Sequence, residues 1–315
     1  MSLRRATAFA PASVGNVGVG FDILGFAVDA LGDAATVTRR SKPGVAITRV
    51  GGVAGELPRE PERNTAGRAL LRLRELAGIE WGFELELDKG IPLGSGLGGS
   101  AASAVAAAVA GNALLMRPLP EAELLECALT GEEVASGSRH ADNVAPALLG
   151  GLVLCVGSER PRLKRIPVPG GVRAVIAHPR MFLATKEARA ILSRTVPLHD
   201  FVRQTANLAG VLAGCYTNDL ELIGASLEDV VIEPQRARLI PGFGAARAAA
   251  LAAGALGCSI SGAGPTLFAW ARAGDAQSVS VALNAALARH GHEVDAWIVG
   301  LDSAGARVVA SRDTA

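Results

Sequence analysis

The sequence Pro92-Leu-Gly-Ser-Gly-Leu-Gly-Gly-Ser-Ala-Ala102 decides how this chain folds. It follows residues 83–88, whose alternation predicts a strand with one buried face, and it opens an alanine-rich stretch that predicts a helix to about Met116. Four glycines among residues 94–99, which we call the glycine loop, permit positive φ angles and close approach of a ligand. The free N–H groups and the positive dipole end of the helix favour an anion. The loop therefore predicts a phosphate site, with a ligand-free tight turn as the alternative.

The glycine loop also fits G-x-G-x-x-G, which marks dinucleotide-binding folds. Those folds require a second strand and an acidic residue about 20 positions later. Here residues 112–118 read N-A-L-L-M-R-P, and a further helix is predicted at residues 120–136. No lysine follows the glycines, so the Walker pattern is absent as well. The sequence thus disfavours both of these common nucleotide sites.

Composition excludes several classes of protein. The 315 residues are 50% hydrophobic and 19% charged, which indicates a globular chain of about two domains. A net charge of +1 and only 4% aromatic residues disfavour a nucleic-acid partner. The alanine-rich stretch of residues 101–116 is too short and too weakly apolar to span a membrane. Four widely spaced cysteines make a zinc site improbable, and we expect a reducing, cytoplasmic location.

The rest of the chain mixes short strands with helices, which predicts an α+β fold. Strands are predicted at about residues 4–10, 34–40, 45–50, 152–156, 172–177, near Ser259, and at 266–271 and 294–299. Helices are predicted at about 65–77, 198–216, 219–227, 243–254 and 275–290. Residues 11–20 are predicted to form a loop. A Gly-, Pro- and base-rich segment, 157–171, predicts a boundary between domains 1–165 and 166–315.

Several segments carry a resemblance to a known family. Pro92 to Ala102 resembles the central ATP-binding motif of the GHMP kinases, the superfamily of galactokinase and of homoserine, mevalonate and phosphomevalonate kinases. Ala10-Pro-Ala-Ser-Val-Gly-Asn-Val-Gly-Val-Gly-Phe-Asp22 resembles the first motif in its homoserine kinase form, and Ser259-Ile-Ser-Gly-Ala-Gly-Pro-Thr-Leu-Phe268 resembles the third. Three further segments are similar to homoserine kinases: Ser138 to Gly151, Thr185 to Arg189, and Glu233 to Phe243. The resemblance covers nearly the whole chain.

The resemblance implies both a fold and an activity. The fold is the two-domain α+β GHMP kinase fold, with an N-terminal ribosomal-protein-S5-domain-2-like domain and a C-terminal ferredoxin-like α+β domain. The activity is ATP-dependent phosphorylation of L-homoserine to O-phospho-L-homoserine in threonine biosynthesis, with Mg²⁺ as cofactor. Homoserine and ATP are then the small-molecule partners, without nucleic acid or membrane, and a homodimer stays open.

The resemblance assigns ATP to the glycine loop, its neighbours and one asparagine. These residues are Asn64, Pro92, Leu93, Gly94, Ser95, Gly96, Leu97, Gly98, Gly99, Ser100, Ala101 and Ala102. Ser100 and Glu132 are the implied Mg²⁺ ligands, since this ion prefers a few oxygen ligands and keeps several waters. Glu133 points about 100° away on the same helix, so only one of the two acids faces the site. Helix-start or helix-cap roles are the alternatives for Ser100 and Asn64.

The implied substrate is a small zwitterion. Its carboxylate calls for arginine, which binds it through two hydrogen bonds. Arg189 and Arg236 match the family positions, and Arg238 is the alternative to Arg236. Asp22 is the main candidate for the ammonium group. Four more residues complete the predicted substrate site: Asn16, His140, Asp142 and Thr185.

Asn143 falls where mevalonate-type relatives carry a catalytic aspartate. Asparagine cannot accept a proton in that role, so Asn143 is predicted to orient the hydroxyl. Together with Ser100 and Glu132 it forms the predicted catalytic set. Asp142 as a base and proton transfer to the γ-phosphate both stay open.

Three other functions stay open from the sequence. The first is a GHMP kinase for another small alcohol, such as mevalonate or shikimate, which Asn143 and the segment from Thr185 to Arg189 disfavour. The second is a dinucleotide-dependent oxidoreductase, which the missing acidic strand disfavours. The third is a non-catalytic binding module, because the N-terminal fold of the superfamily resembles RNA-associated domains.

Overall fold

The structure is a computed structural model that describes residues 3–53, 57–157 and 159–313. Within these residues, one mixed sheet has the order β11-β1-β2-β4-β3, with β5 beside β2 and β6 beside β5. Its strands are β1 Leu3–Gly15, β2 Leu24–Arg40, β3 Val45–Gly52, β4 Gly82–Lys89, β5 Leu152–Val156, β6 Arg162–Ile166 and β11 Arg307–Asp313. Its parallel pair is β3 with β4.

A second, antiparallel sheet has the order β10-β7-β9-β8. Its strands are β7 Val172–Pro179, β8 Ala255–Ile260, β9 Leu267–Arg272 and β10 Val294–Gly300. The helices are α1 Thr65–Ala77, α2 Gly99–Ala113, α3 Glu121–Ser136, α4 Ala141–Leu149, α5 Thr185–Ala190, α6 Leu198–Thr217, α7 Leu220–Ser226, α8 Glu233–Arg236, α9 Phe243–Ala252 and α10 Ala276–Arg289. The described helices are each too short or too polar to cross a lipid bilayer.

Helix α2 lies at the centre of the first layer, packed against β1, β2, α1 and α3. Its alanines are buried on every side, which is typical of a helix surrounded by protein. Small side chains let the neighbours approach closely: a Cβ on Gly111 would lie 2.6 Å from Leu70 and 2.7 Å from Leu73 of α1. The alanine-rich sequence therefore places the first turn of α2, and the glycine loop before it, at a fixed point above the sheet.

The two sheets share one hydrophobic core. Phe26 of β2 contacts two rings of β9, with centroid distances of 5.8 Å to Phe268 and 6.1 Å to Trp270. All three rings are fully buried. Aromatic pairs in edge-to-face contact contribute about 0.5–1.5 kcal/mol beyond the area they bury. This contact holds the second sheet, and the loops at its edge, against the first.

The predicted α+β class is confirmed, but two local predictions were wrong and several elements were not predicted. Strand β1 continues to Gly15, because residues 12–15 pair with residues 25–28 of β2, so the loop begins at Asn16 and not at Pro11. Strand β2 starts at Leu24 and not near residue 34. The segment 157–171 contains strand β6, which pairs with β5. Helices α4 and α5 and strand β11 were not predicted. The domain boundary after residue 165 stays a prediction. Strand β11 lies in the second half of the chain but pairs with β1 in the first sheet, so the two halves of the sequence do not each form a separate sheet.

Candidate active site

A cavity of about 340 Å³ lies between the glycine loop, the loop after β1, and helices α4, α5 and α8. It collects residues that are far apart in the sequence. Most of the predicted site residues line it: Asn16, Asp22, Pro92, Leu93, Gly94, Ser95, Gly96, Gly98, Gly99, Ser100, Glu132, His140, Asp142, Asn143, Thr185, Arg189 and Arg236. The fold therefore brings the predicted nucleotide residues and the predicted substrate residues to one place.

The glycine loop needs its glycines for conformation. Gly94, Gly96 and Gly98 have φ angles of 62°, 76° and 65°, a left-handed region that side chains rarely adopt. A Cβ on Gly96 would also lie 2.6 Å from the carbonyl oxygens of Ser261 and Gly264. The loop can therefore pass close to the second sheet only with glycine at this position.

Carbonyl groups 94–97 of the glycine loop each accept a hydrogen bond from outside it. The donors, in order, are the N–H of Leu183 at 3.0 Å, Oγ1 of Thr266 at 2.6 Å, Oγ of Ser261 at 2.7 Å and the N–H of Ser13 at 3.1 Å. The C=O and the following N–H of a trans peptide point in opposite directions, so the next N–H groups point away from these donors. The N–H of Leu97 donates to Oγ of Ser95 at 3.4 Å. The loop is thus fixed with the N–H groups of residues 95, 96 and 98 available for phosphate oxygens.

A buried ion pair lies beneath the loop. Lys89, at the end of β4, pairs with Asp33 of β2 and donates to the Gly99 carbonyl at 2.7 Å and to Ser103 at 2.8 Å. Asp33 also accepts the N–H groups of Gly90 and Ile91 at 3.0 and 3.2 Å. Both charged side chains are almost fully buried. The network joins the strand before the loop to the helix after it.

The loop after β1 forms a left-handed turn that presents Asp22. Asn16, Val17 and Gly18 have φ angles of 69°, 47° and 65°, and a positive φ is strained for a β-branched valine. The Asn16 side chain holds the turn: its amide donates to the Gly262 carbonyl at 2.9 Å, and its oxygen accepts the Asp22 N–H at 3.0 Å. Such strain is typical of a functional site.

Asn143, in the first turn of α4, lines the cavity beside the glycine loop, since a Cβ on Gly98 would lie 3.0 Å from its side-chain oxygen. Its side-chain oxygen accepts a hydrogen bond from Ser13 at 3.0 Å. A Cβ on Gly15 would lie 2.6 Å from its side-chain nitrogen, so glycine there gives the amide its space. Because Ser13 occupies the oxygen, the amide N–H group is the part of Asn143 left to contact a substrate oxygen.

Arg189 and Asp22, the predicted partners of a carboxylate and an ammonium group, bind each other. Nη2 of Arg189 donates to both Asp22 oxygens, at 2.7 and 3.0 Å. The Arg189 Nε is buried and has no hydrogen-bond partner among the described residues. The guanidinium groups of Arg189 and Arg236 each lie 5.3 Å from the Phe21 ring, and the charge of Arg189 acts on Arg236.

Arg236 is a buried cation that faces the cavity. It is 3% exposed, and it donates to the carbonyls of Ala188 at 3.2 Å and Gly262 at 2.8 Å. No carboxylate forms an ion pair with it among the residues that the structure describes. Burial, and then the charge of Arg189, lowers its pKa to about 10, so it stays charged at neutral pH. The charges of Asp22, Asp229 and Asp142 act on Arg236 without an ion pair to it. A buried charge with no direct partner is costly, so this position favours an anionic ligand.

His140 connects Glu132 to Arg189. Its Nδ1 is 3.1 Å from Glu132 Oε1, and its Nε2 is 3.2 Å from Nη2 of Arg189. Arginine can only donate, so Nε2 accepts and Nδ1 carries the proton that is donated to Glu132. Burial lowers the pKa of His140, but the hydrogen bond and charge of Glu132 and the charge of Asp142 raise it further, so it lies above its ordinary value.

Glu132 has a feature that fits a divalent cation. Its Oε2 is buried and has no hydrogen-bond partner among the described residues. The described chain contains no group of three or more His, Cys, Asp or Glu side chains that could hold a metal by themselves. This donor set suits Mg²⁺, which usually takes one or two carboxylates together with phosphate oxygens and water.

Asp142 is a buried acid beside the same cations. Its Oδ2 accepts the Asn16 N–H at 3.1 Å, and its Oδ1 has no partner among the described residues. Burial, followed by the charge of Asp22, raises its pKa to about 6. The carboxylate is therefore mainly ionised at neutral pH and protonated below about pH 6.

Some predicted residues do not line the cavity. Asn64 is buried and caps α1, accepting the N–H groups of residues 66 and 67 at 3.0 and 3.2 Å, so its role toward ATP stays a prediction. The side chains of Leu97, Ala101 and Ala102 are buried in the core, which leaves only their backbone for a phosphate. Arg238 and Glu133 are exposed, whereas Arg236 and Glu132 line the cavity.

Sequence reasoning missed the residues that support the site: Ser13, Asp33, Lys89, Ser103, Ser261 and Thr266. Ser13, Ser261 and Thr266 lie inside the first and third motifs, so their segments were identified without their contacts. Asp33 and Lys89 show no recognisable pattern in the sequence. They are two charged residues 56 positions apart, and only the fold brings them together.

Comparisons with known proteins agree with this arrangement. The family model described as GHMP kinases N terminal domain matches residues 64–151, and the one described as GHMP kinases C terminal matches residues 211–289. The homoserine kinase of Xylella fastidiosa strain M12 is 52% identical over 306 residues, covering 97% of this chain and 94% of that protein.

Two solved structures are similar to this chain. The crystal structure of homoserine kinase from Cytophaga hutchinsonii is 44% identical, covers 97% of both chains and has a TM-score of 0.93. The L. major mevalonate kinase structure is 16% identical, covers 94% of this chain and 96% of its own, and has a TM-score of 0.67, which shows a shared fold alone.

The fold, the phosphate-type loop and the family models place the chain among the GHMP kinases, so it is a kinase of the ATP-using type. Within that class it belongs to the homoserine kinase family, at 52% identity over nearly its full length.

Proposed function

We propose that this kinase transfers the γ-phosphoryl group of ATP to the side-chain hydroxyl of L-homoserine, giving O-phospho-L-homoserine and ADP, a step toward threonine. The observation that carries the substrate assignment is Arg236, a buried cation that faces the cavity with no carboxylate partner among the described residues. Homoserine supplies the missing carboxylate. Membership of the homoserine kinase family supports the same substrate.

The amino-acid group of homoserine fits the pair of arginines and the acids around them. Its carboxylate would accept hydrogen bonds from Arg236 and from the free Nε of Arg189. Its ammonium would lie near Asp22, with the Oδ1 atom of Asp142 as a second acceptor. Asn16 and Thr185 line the same part of the cavity and His140 holds Arg189, so they would position these groups.

The phosphates of ATP fit the glycine loop. The loop N–H groups and the first turn of α2 would bind the β- and γ-phosphates, whose charge spreads over the transferring group in a loose transition state. Mg²⁺, where bound, would neutralise part of that charge. Its proposed protein ligands are Ser100, at the start of α2, and the free Oε2 of Glu132.

The hydroxyl group of homoserine would be oriented by the amide N–H of Asn143, whose oxygen is already held by Ser13. An asparagine cannot remove the hydroxyl proton, so the mechanism rests on positioning and on charge stabilisation. We propose direct transfer of that proton to the phosphoryl oxygens, because Asp142, which accepts the Asn16 N–H at 3.1 Å, is assigned to the ammonium group of the substrate and not to its hydroxyl.

The cellular setting is part of the proposal. Four unpaired, buried cysteines, Cys127, Cys155, Cys215 and Cys258, support a reducing cytoplasm. We also propose the domain division at 1–165 and 166–315. The chain passes from the first sheet to the second between Ile166 and Val172, which supports it, although β11 returns to the first sheet. Nucleic acid and membrane are not proposed as partners.

A coupled ADP-release assay tests the proposed function. L-homoserine, mevalonate and shikimate would be compared side by side at saturating ATP and Mg²⁺. We expect kcat/KM for homoserine to exceed that for the other two alcohols by at least about 100-fold, because they cannot satisfy both the cations and the acids of the cavity. Equal or faster turnover of mevalonate or shikimate would contradict the homoserine assignment.

A further inference from the structure

Three side chains with a permanent positive charge line the cavity among the residues that the structure describes: Lys186, Arg189 and Arg236. The two arginines are assigned above to the carboxylate of the substrate, which leaves Lys186 without a role. Lys186 is exposed in the first turn of α5, and its side chain makes no ion pair or hydrogen bond within the described part of the chain. Its ammonium group is therefore available to a ligand.

The stability of α5 does not explain a lysine at this position. A cation in the first turn of a helix is disfavoured, because the free backbone N–H groups give that end a partial positive charge. Arg189 lies three residues later, and residues three apart on a helix share a face. Two like charges therefore face the cavity beside each other, which favours anionic groups between them and the glycine loop.

The start of α5 is attached to the glycine loop. Just before the helix, the N–H of Leu183 donates to the Gly94 carbonyl at 3.0 Å. The ring of Phe182 lies against the same glycine, where a Cβ would come within 2.4 Å of it. Lys186 follows three residues after Leu183 and lines the same cavity as residues 94–96 and 98–100. Its long, flexible side chain is thus placed beside the loop that is proposed to hold the phosphates.

The other end of α5 leads to the proposed carboxylate position. The Ala188 carbonyl accepts a hydrogen bond from Arg236 at 3.2 Å, and Arg189 binds Asp22. Along the helix, the arginines therefore belong to the amino-acid part of the cavity and Lys186 to its phosphate part.

The glycine loop has no cation of its own. Neither residues 94–100 nor residues 10–22 include a lysine or an arginine. Lys89, before the loop, is buried and paired with Asp33. Phosphoryl transfer spreads negative charge over three oxygens of the transferring group, and enzymes place lysine or arginine side chains on such groups. Lys186 is in position to supply this charge.

We propose that Lys186 binds the γ-phosphoryl group of ATP and stabilises it during transfer, which makes it a catalytic residue. This role rests on the proposed function, since it requires ATP as the donor. The hydroxyl oxygen of the substrate bonds to the γ-phosphorus, and the bond from that phosphorus to the bridging oxygen breaks, so ADP leaves with the electron pair. The hydroxyl proton moves to a phosphoryl oxygen. Lys186 keeps its own proton throughout and acts by its charge.

Isothermal titration with ATP and with ADP, without an alcohol, tests the contact. A cation on the γ-phosphate raises the affinity for ATP but not for ADP. Lys186→Met should therefore weaken ATP binding by about two- to fivefold, as for an exposed ion pair, and leave the Kd for ADP unchanged. Lys164→Met is the matched control, because Lys164 is exposed on β6 outside the cavity, and it should bind both nucleotides like the wild type. A Lys186→Met variant that also does so overturns the proposal.

Turnover tests the catalytic role. Lys186→Met should lower kcat by about 10–150-fold, because a charged hydrogen bond to the transferring group is lost. Lys186→Arg keeps the charge and should restore most of kcat. A kcat near that of the wild type overturns the proposal, and so does a variant in which only the KM for homoserine rises, because Lys186 would then bind the carboxylate. The titration needs no alcohol, and kcat can be measured with whichever alcohol the wild type phosphorylates. A wrong homoserine assignment would therefore appear in the wild type alone and leave both tests intact.

Discussion

The two sides of the cavity satisfy their polar groups in different ways. On the glycine-loop side, carbonyls 94–97 all accept hydrogen bonds from within the chain. On the opposite side, three buried polar atoms have no partner among the described residues: Oε2 of Glu132, Oδ1 of Asp142 and Nε of Arg189. On the first side the loop carbonyls are satisfied within the chain, whereas on the second side buried side-chain atoms are left for a ligand to satisfy.

This difference separates stability from recognition. A buried polar group without a hydrogen bond costs about 1–3 kcal/mol, so three of them on residues that line one cavity favour a ligand that supplies the partners. Substitutions beneath or behind the glycine loop should therefore reduce stability or ATP binding. Substitutions on the opposite side should reduce use of the amino-acid substrate or the metal and leave the fold intact.

The largest effect is expected at the ion pair beneath the loop. Asp33→Ala would leave the Lys89 ammonium buried without its carboxylate, which typically costs about 3–5 kcal/mol of the free energy of unfolding. Urea unfolding would measure it. The double variant Asp33→Ala, Lys89→Met removes both charges and should recover part of that loss. A single variant as stable as the wild type would show that the loop does not depend on this pair.

Glu132→Gln should lower kcat by about 100-fold or more, because the amide cannot neutralise charge as a metal-bound carboxylate does. Ser100→Ala should lower kcat in the same direction. Melting temperatures should stay near that of the wild type, since Oε2 of Glu132 makes no hydrogen bond within the described chain. Glu133→Gln is the control, and its exposed side chain should leave turnover unchanged. Near-normal turnover of Glu132→Gln at saturating Mg²⁺ would remove the metal assignment.

Thr266→Val should weaken ATP binding by about tenfold, because the Ser95 carbonyl loses a buried hydrogen bond. The same hydroxyl lies 2.9 Å from Nδ1 of His178, which would also lose its partner. Isothermal titration with ATP would measure the change, with the KM for homoserine unaffected. Thr266→Ser keeps the hydroxyl and should bind ATP normally. If serine and valine variants behave alike, the hydroxyl does not position the loop.

A smaller, pH-dependent effect is expected from Asp142. Burial, and then the charge of Asp22, raises its pKa to about 6, so it gains a proton and loses its negative charge as the pH falls through 6. The kcat/KM for homoserine should fall on that acid side by up to about tenfold per pH unit. Asp142→Asn should have a lower kcat/KM at pH 8 and lack this acid limb. A variant that keeps the limb would assign the titration to another group.

The sequence predicted the residues that line the cavity better than the residues that hold them in place. The glycine loop was evident because only glycine tolerates its backbone angles, and helix α1 was predicted at its observed bounds because Asn64 caps it. The length of β1 could not be predicted, since Pro11 and Gly15 read locally as loop residues and only pairing with β2 makes them a strand. The Asp33 and Lys89 pair, and the contacts of Thr266, join distant segments, so no local pattern indicates them.

The central claim is that Arg236 binds the carboxylate of the substrate. The most direct test is the ratio of kcat/KM for L-homoserine to kcat/KM for 3-aminopropan-1-ol, which is homoserine without its carboxylate. Charged hydrogen bonds contribute about 1.5–3 kcal/mol, so Arg236→Ala should lower this ratio by roughly 10–150-fold while the KM for ATP stays unchanged. Arg238→Ala, whose side chain is exposed outside the cavity, should leave the ratio as in the wild type. An unchanged ratio in Arg236→Ala would contradict the account, because the carboxylate would then bind elsewhere.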